Sequence, residues 1–402
     1  MRTIYLELSP TRFVGTKLMG KLSRKAYFAP FSMLHYSEIT DPPLPAQNWV
    51  RVRNRMCGIC GSDLHQIFLD ADLDVAPAAL PSHRRTYLGH EMVGEIVEVG
   101  SDARGFSVGD RVVRWGRAED CIARGRKELC PACARGQRVL CEFASEPMEH
   151  EPVGGGYGDE FITPASTLLH VPDSLTDEQA IFAEPAAVAI HAVWRKFPRA
   201  GERVLVLGSG TIGFLVMQVV RAVCPDCFMG AVAQFPWQAE MARRFGADDV
   251  FLTGEDGYSR VAEMTGARLY RGRGGNSMLL GGFDVVWDVV GAPRTLTDAL
   301  RWTKAGGTVV LVGVNLHRMK VDLTPVWYQE VDLLGAIGHG MVDWQGERIP
   351  AFELAMRWMA EGVLDVEPLL THTFRLEEYG RAFTTAMDKA KFRSVKVAFD
   401  MR

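Results

Sequence analysis

The chain has 402 residues, and 45 Lys and Arg against 49 Asp and Glu leave a formal charge of −4. At about 150 residues per domain the length predicts two or three domains, enough to bury a core without disulfide or metal staples. The slight acidity argues against a nucleic-acid partner, because phosphate backbones are met by clustered Lys and Arg.

No apolar run approaches the roughly 18 residues that a membrane helix needs. The N-terminal MRTIYLELSPTRFVG holds no continuous apolar stretch of signal-peptide length. The expectation is a cytoplasmic protein with neither a membrane nor a nucleic-acid partner. Residues 1–25 suggest no function. From residue 46 to 200 the sequence is rich in Gly and Pro, and WVRVR, MVGEIVEVG, DRVVRW and EFITP read as short strands between turns. This is an irregular β domain whose loops carry the chemistry. Six of the eight cysteines, 57, 60, 121, 130, 133 and 141, precede residue 142. In a reducing compartment such clustering points to metal before disulfide.

At Thr176 the pattern changes to TDEQAIFAEPAAVAIHAVWRKF, which predicts one long helix. From Glu202 strands and helices alternate. RVLVLG, FMGAVA, DDVFL, FDVVWDVVG and GTVVLVGV are strands of buried parallel type, with GTIGFLVMQVVRAV and PWQAEMARRFG as helices between them. This predicts a doubly wound Rossmann sheet. GARLYRGRGGNSMLLGG, residues 266–282, reads as an exposed loop without periodicity. PAFELAMRWMAEG predicts a late helix, and LLTHTFRL and SVKVAFD predict late strands.

Gly208-Ser-Gly-Thr-Ile-Gly213 fits G-x-G-x-x-G directly after a strand and at the start of an apolar helix. Gly208 allows the tight turn, Gly210 lets the backbone approach a pyrophosphate, and Gly213 lets helix and strand pack closely. The helix N-terminus at Thr211 and Ile212 then offers N–H groups to phosphate. At the end of the second strand, where a carboxylate would hold a ribose 2′-hydroxyl, the sequence places Ala233, followed by Gln234. A nicotinamide dinucleotide is expected, with NAD and NADP both open.

Cys60-Gly-Ser-Asp-Leu-His65, Gly89-His90-Glu91 and Glu184-Pro185 supply one thiolate, one imidazole and two carboxylates. That set suits a catalytic zinc with an open position. With GHEMVGEIVEVG at 89–100, GDRV at 109–112, AEPAAVAIHA at 183–192 and GSGTIG at 208–213, the sequence resembles the zinc-containing medium-chain alcohol and polyol dehydrogenases over about residues 26 to 402. The resemblance implies an α/β chain with a GroES-like β-rich catalytic domain over 1–183, a Rossmann domain over 184–333 and a return to the catalytic domain over 334–402. It implies Cys60, His90, Glu91 and Glu184 at the catalytic zinc, with Glu184 marking the sorbitol, threonine and glucose dehydrogenase branch. It implies Ser62 at the substrate oxygen and His65 at the outer end of a proton relay. Val290, Gly313, Val314 and Ile337 join Gln234 and the fingerprint on the cofactor. The implied substrate is a small alcohol or carbonyl compound, and the implied assembly is a homodimer or homotetramer.

Cys130-x2-Cys133-x7-Cys141 matches three of four positions of the family's structural zinc lobe. Lys127 occupies the first position, and Cys121 stands nearby. A four-thiolate zinc site and a metal-free lobe both remain open. Cys224 and Cys227 lie at a helix end, where a redox pair is not expected, and Cys57 reads as core. The functional reading is a zinc-dependent NAD(P) oxidoreductase of a secondary alcohol, polyol or sugar. Two alternatives are a catalytically silent member and a zinc-free reductase, and the joint presence of Cys60, Ser62, His90 and Glu184 argues against both.

Overall fold

The computed structural model describes residues 1–72, 85–273 and 276–402. They form two compact units. The first comprises Met1–Glu184, Asp343–Ala360 and Val366–Arg402, and the second Pro185–Val342 with Glu361–Asp365. The second boundary thus falls at 342/343, nine residues beyond the 333/334 expected from the sequence.

The first unit is built on a seven-stranded sheet. In spatial order its path runs Leu370–Phe374, Lys396–Asp400, Trp49–Gly58, Glu91–Val99, Arg111–Arg114 and Leu168–His170, with Glu160–Pro164 paired to the long strand Trp49–Gly58. Alternation along these strands sends Val50, Val52, Met92, Ile96, Val112 and Phe161 into one core. The register matters for the site, because Gly58 pairs with Glu91 and also with Ala398. Two neighbouring strands and a third from the end of the chain therefore meet at one point. A smaller sheet joins Arg2–Glu7 to Leu34–Glu38 and Arg85–Tyr87, and the helix Pro10–Gly20 lies between the first two of these.

The second unit is a six-stranded parallel sheet in the order Asp249–Leu252, Phe228–Ala233, Arg203–Leu207, Phe283–Asp288, Thr303–Leu311, Asp332–Gly335. This is the doubly wound order, and ligands bind such sheets at the carboxyl ends of the strands. The segment 266–282 is not the loop that its composition suggested. Arg268–Arg271 and Ser277–Leu280 form an antiparallel hairpin, because Leu269 and Leu279 pack on the core between exposed neighbours. The single helix expected after Thr176 is likewise two. Thr176 and Gln179 make a capping box on Asp177–Ala180, and a second helix runs Ala183–Arg195. Pro185 has no N–H to donate to the preceding turn, so one continuous helix cannot form.

His191, on Ala183–Arg195, is buried. Burial, assisted by the nearby Arg195 guanidinium, lowers its pKa to about 4. Between about pH 6.5 and this value the unfolded chain binds a proton that the native chain refuses, so stability is full above the window and is lost as pH falls through it. At pH 5 the loss should be about 2 kcal/mol. Urea unfolding should show His191→Gln losing correspondingly less stability than wild type between pH 7.5 and 5. An equal loss in both proteins would contradict this.

Candidate metal centres and cofactor cradle

Cys60 is the N-cap of the helix Gly61–Ile67, and its sulfur faces His90 and Glu91 at the start of the strand Glu91–Val99. One ligand atom from each of Cys60, His90 and Glu91 lies within 4.8 Å of the others. Glu184, in the first turn of Ala183–Arg195, lies outside that tight set but within reach of its charges. Burial pushes the Glu184 carboxyl up to about 7; His90 and Lys396 oppose the rise, while Glu91 and Asp63 add to it.

Asp63 explains how His90 is aimed. Its Oδ1 stands 3.4 Å from His90 Nδ1, and its Oδ2 accepts from the Tyr157 hydroxyl at 2.6 Å and the Cys60 amide at 3.3 Å. Burial alone would raise the Asp63 pKa, but His90, Tyr157 and the Cys60 amide hold it below the usual carboxylate value. A carboxylate on Nδ1 leaves Nε2 of His90 for a metal, the usual support of a metal-binding imidazole.

Glu91 is the deepest carboxylate of the set. It is 1% exposed, and both of its oxygens accept from Lys396 Nζ, at 2.6 and 2.5 Å. The same ammonium donates to the Ile59 carbonyl at 3.3 Å. Burial works against the charged ammonium, but Glu91 and Cys60 more than offset it and Lys396 holds its proton above the ordinary range. Gly58 makes the approach possible, since a Cβ there would lie 2.2 Å from Glu91 Oε2 and 3.2 Å from Lys396 Cδ. Sequence reasoning found neither Lys396 nor Gly58. Asp63 was within reach, because a Cys-x-x-Asp step before a helix is a capping pattern.

Ser62 and His65 are three residues apart on Gly61–Ile67, hence on one face. Both are half-buried. The Asp70 carboxylate meets His65 Nδ1 at 2.8 Å, which leaves the other ring nitrogen to exchange protons.

The second sulfur cluster is complete. Cys121, Cys130, Cys133 and Cys141 are buried with their sulfurs all within 4.8 Å of one another, and Cys121 and Cys141 stand 3.6 Å apart. A tetrahedral zinc with bonds of about 2.3 Å requires sulfur separations of about 3.8 Å, so the four thiols fit the ion. Asp120 folds Cys121 back. Its carboxylate accepts from the amides of Ile122 and Ala123 at 2.9 Å and from Arg138 Nε at 2.6 Å, with both side chains buried. Burial raises the Cys130 thiol, but the amides of Cys133 and Glu142 outweigh it and bring the pKa down to about 7. Cys224 and Cys227 are buried at a helix end, and burial pushes the Cys227 thiol up to about 12, so they are packing residues.

In the second unit the cofactor candidates gather at the carboxyl ends of the parallel strands. Gly208 has φ +117°, and a Cβ there would strike Val290 Cγ2 at 2.6 Å; one on Gly213 would lie 1.9 Å from the Gly208 carbonyl. Gly210 caps Thr211–Val223. Gly313 lies against the Val290 and Gly291 backbone, while Val290, Val314 and Ile337 are exposed apolar groups. Buried Asp288 shapes this loop by accepting from the amides of Val290 and Gly291 at 3.0 Å. Ala233 is the last residue of Phe228–Ala233, and Gln234 beyond it is exposed. Gln238 accepts from the Gln234 and Phe235 amides, and Arg244 pairs with Asp365 at 2.9 Å. The donor sets and the glycine cradle therefore fit zinc and a dinucleotide.

Comparison with known proteins agrees. Residues 46–173 match the alcohol dehydrogenase GroES-like domain and residues 211–360 the zinc-binding dehydrogenase family. The chain is 31% identical to L-idonate 5-dehydrogenase of Vitis vinifera over 361 residues, 88% of each chain. It is also 31% identical to sorbitol dehydrogenase of Arabidopsis thaliana over 363 residues, with the same coverage. Among solved structures it is similar to 2R,3R-butanediol dehydrogenase of Bacillus subtilis, with TM-score 0.69 and 25% identity over 92% of this chain and 96% of that one. The chain belongs to the zinc-binding medium-chain dehydrogenases. It is a zinc-dependent, NAD(P)-linked oxidoreductase of alcohols or polyols, and the catalytically silent reading is not favoured.

Removing the partner of a buried charge typically costs about 3–5 kcal/mol. Lys396→Met should lower stability by about that amount through the isolated Glu91 carboxylate, with Lys396→Arg recovering part of it. Denaturant titration at pH 7.5 checks this. A Lys396→Met protein as stable as wild type would show that the ion pair contributes nothing.

Proposed function

We propose that the chain interconverts a secondary hydroxyl of a polyol, sugar or sugar acid with the corresponding ketone, using Cys60, His90 and a Glu as the catalytic metal ligands. The observation that carries this reading is the meeting of Cys60, His90 and Glu91 within 4.8 Å, beside a helix bearing Ser62 and His65. The names of the sorbitol and idonate relatives support the polyol class.

Zinc in this site supplies Lewis acidity that lowers the pKa of an alcohol, and the nicotinamide supplies the hydride acceptor. The protein's own groups handle the proton. Ser62 Oγ accepts the hydroxyl proton of the substrate while giving its own to His65, because a hydroxyl can relay a proton but cannot store one. His65, an imidazole that can both take up and give off a proton, passes it to solvent. Asp70 keeps the ring oriented. With a nicotinamide bound to accept the hydride, the remaining proton would leave to water through Ser62 and His65. Asp63 holds His90 in the ligating tautomer, and Lys396 donates to both oxygens of Glu91.

Cys121, Cys130, Cys133 and Cys141 are assigned as a second, structural zinc site, on the strength of their dry four-sulfur geometry. A cytoplasmic setting is supported by eight cysteines that all stand as thiols. A homodimer or homotetramer is supported by the edge strand Asp332–Gly335, which carries exposed Leu333 and is followed by exposed Ile337.

Ser62→Ala should lower kcat about 10²–10⁴-fold on a panel of polyols with little change in cofactor affinity. His65→Ala should cost less and mainly move the pH profile, because solvent can replace an exposed relay end. Unchanged turnover of Ser62→Ala, under conditions where hydride transfer limits the rate, contradicts the assignment.

Ala233 leaves no carboxylate to repel a 2′-phosphate, and Gln234 and Gln238 offer no cation to reward one, so NAD and NADP should be used with weak discrimination. Arg244 is already held by Asp365. Ala233→Asp should move selectivity towards NAD by about 1.5–3 kcal/mol, the worth of a hydrogen bond to a charged group. The ratio of kcat/KM for the two cofactors checks this, and a wild type preferring NAD by orders of magnitude would overturn it.

A further inference from the structure

The whole-chain charge of −4 conceals a strongly polarised segment. Between Leu8 and Ser37 the sequence carries Arg12, Lys17, Lys21, Arg24 and Lys25 and no Asp or Glu. The helix Pro10–Gly20 occupies this stretch. Its inner face is accounted for: Phe13 packs on the core, Thr16 is buried, and Gly20 lies against the Tyr27 ring. Its outer face should then be polar, as on most helices that lie on a soluble domain. Instead Val14 and Leu18, one turn apart, are 54% and 59% exposed, and Leu22 continues the row at 80%. Met19, Leu8 and Phe31 are exposed as well. Arg12 donates to the Pro30 and Ser32 carbonyls at 2.8 and 3.0 Å. Lys17 reaches over the Phe13 ring, and Lys21, Arg24 and Lys25 are neighbours of Leu22 in sequence.

A second observation lies at the end of the same segment. Arg24 and Lys25, with Arg381 and His372, line a cavity of about 700 Å³ whose walls include Phe28, Phe374 and Phe392. No Asp or Glu stands among the described residues that line it. Arg381 pairs with Glu378, so Arg24 and Lys25 are the cations that, over this apolar floor, suit an amphipathic anion.

We propose that this segment docks on an anionic lipid bilayer, with Val14, Leu18 and Leu22 at the boundary of headgroups and acyl chains and the lysines over lipid phosphates. Exposed aliphatic side chains beside Lys and Arg supply the two contributions on which interfacial binding rests, apolar burial and attraction to anionic lipid. Among the described residues no helix is long and apolar enough to cross a membrane, so the association is peripheral. A second copy of the chain is a poorer occupant. A two-fold interface sets a patch against itself, which here opposes like charges with no carboxylate between them.

The test is cosedimentation of the full-length zinc-loaded enzyme with vesicles of phosphatidylcholine alone or containing about 30% phosphatidylglycerol. Binding should favour the anionic vesicles by more than about tenfold and weaken as salt shortens the screening length from about 10 to about 3 Å. Lys21→Glu/Lys25→Glu should reduce binding by more than about tenfold. Leu18→Ser/Leu22→Ser should reduce it at every salt concentration, with turnover and melting midpoint unchanged. Equal or negligible binding to both vesicles overturns the proposal, and the wild-type comparison decides this even if a variant folds poorly. Undiminished lipid binding by the leucine variant overturns it too. So does a leucine variant that loses self-association in sedimentation velocity without losing lipid binding, since a second copy would then cover the face.

Discussion

The catalytic unit depends on one buried ion pair. Lys396 stands on the last strand of the chain and Glu91 on a strand some 300 residues earlier, and their contact is possible only because Gly58 between them has no side chain. The pair fixes the register of three strands where Cys60 and His90 emerge. It also gives a carboxylate that is 1% exposed an opposite charge in direct contact. With Lys396 beside it, Glu91 is held by both oxygens where it also meets Cys60 and His90 within 4.8 Å. The topology follows: the C-terminal segment must return to the first unit to deliver this ammonium.

Around that pair the remaining polar groups form a hierarchy. Tyr157 and the Cys60 amide hold Asp63, Asp63 faces His90, and Asp70 holds His65. His90 and Glu91 are each aimed by a group that would itself contact neither metal nor substrate, which is how a protein fixes ligand geometry before the ion arrives. The four-cysteine lobe repeats the pattern, with Asp120 and Arg138 as its buried support.

Most of the architecture was legible in the sequence because the strands are short, apolar and regularly punctuated, and because the glycine fingerprint sits between a strand and a helix. What escaped detection had physical reasons. The 266–282 hairpin was hidden by its Gly and Arg content, although Leu269 and Leu279 carry the inward face. The helix after Thr176 was overextended because periodicity cannot register the amide that Pro185 lacks. Lys396 had no local signal, since its meaning depends on a partner 305 residues away. Cys121 could be suspected as a fourth ligand, but only the fold places its sulfur 3.6 Å from Cys141. Average charge hid the basic segment at 8–37, as any sum over 402 residues would.

The claim on which the rest stands is that Cys60, His90 and a glutamate hold the catalytic zinc, apart from the four-cysteine lobe. Metal analysis by mass spectrometry on purified wild type and Cys60→Ser tests it most directly, with activity and circular dichroism on the same samples. Wild type should carry about two zinc ions per chain, and Cys60→Ser about one, folded and inactive, because catalytic sites contribute less to folding than closed four-thiolate sites. Retention of full zinc content and activity by Cys60→Ser would contradict the account.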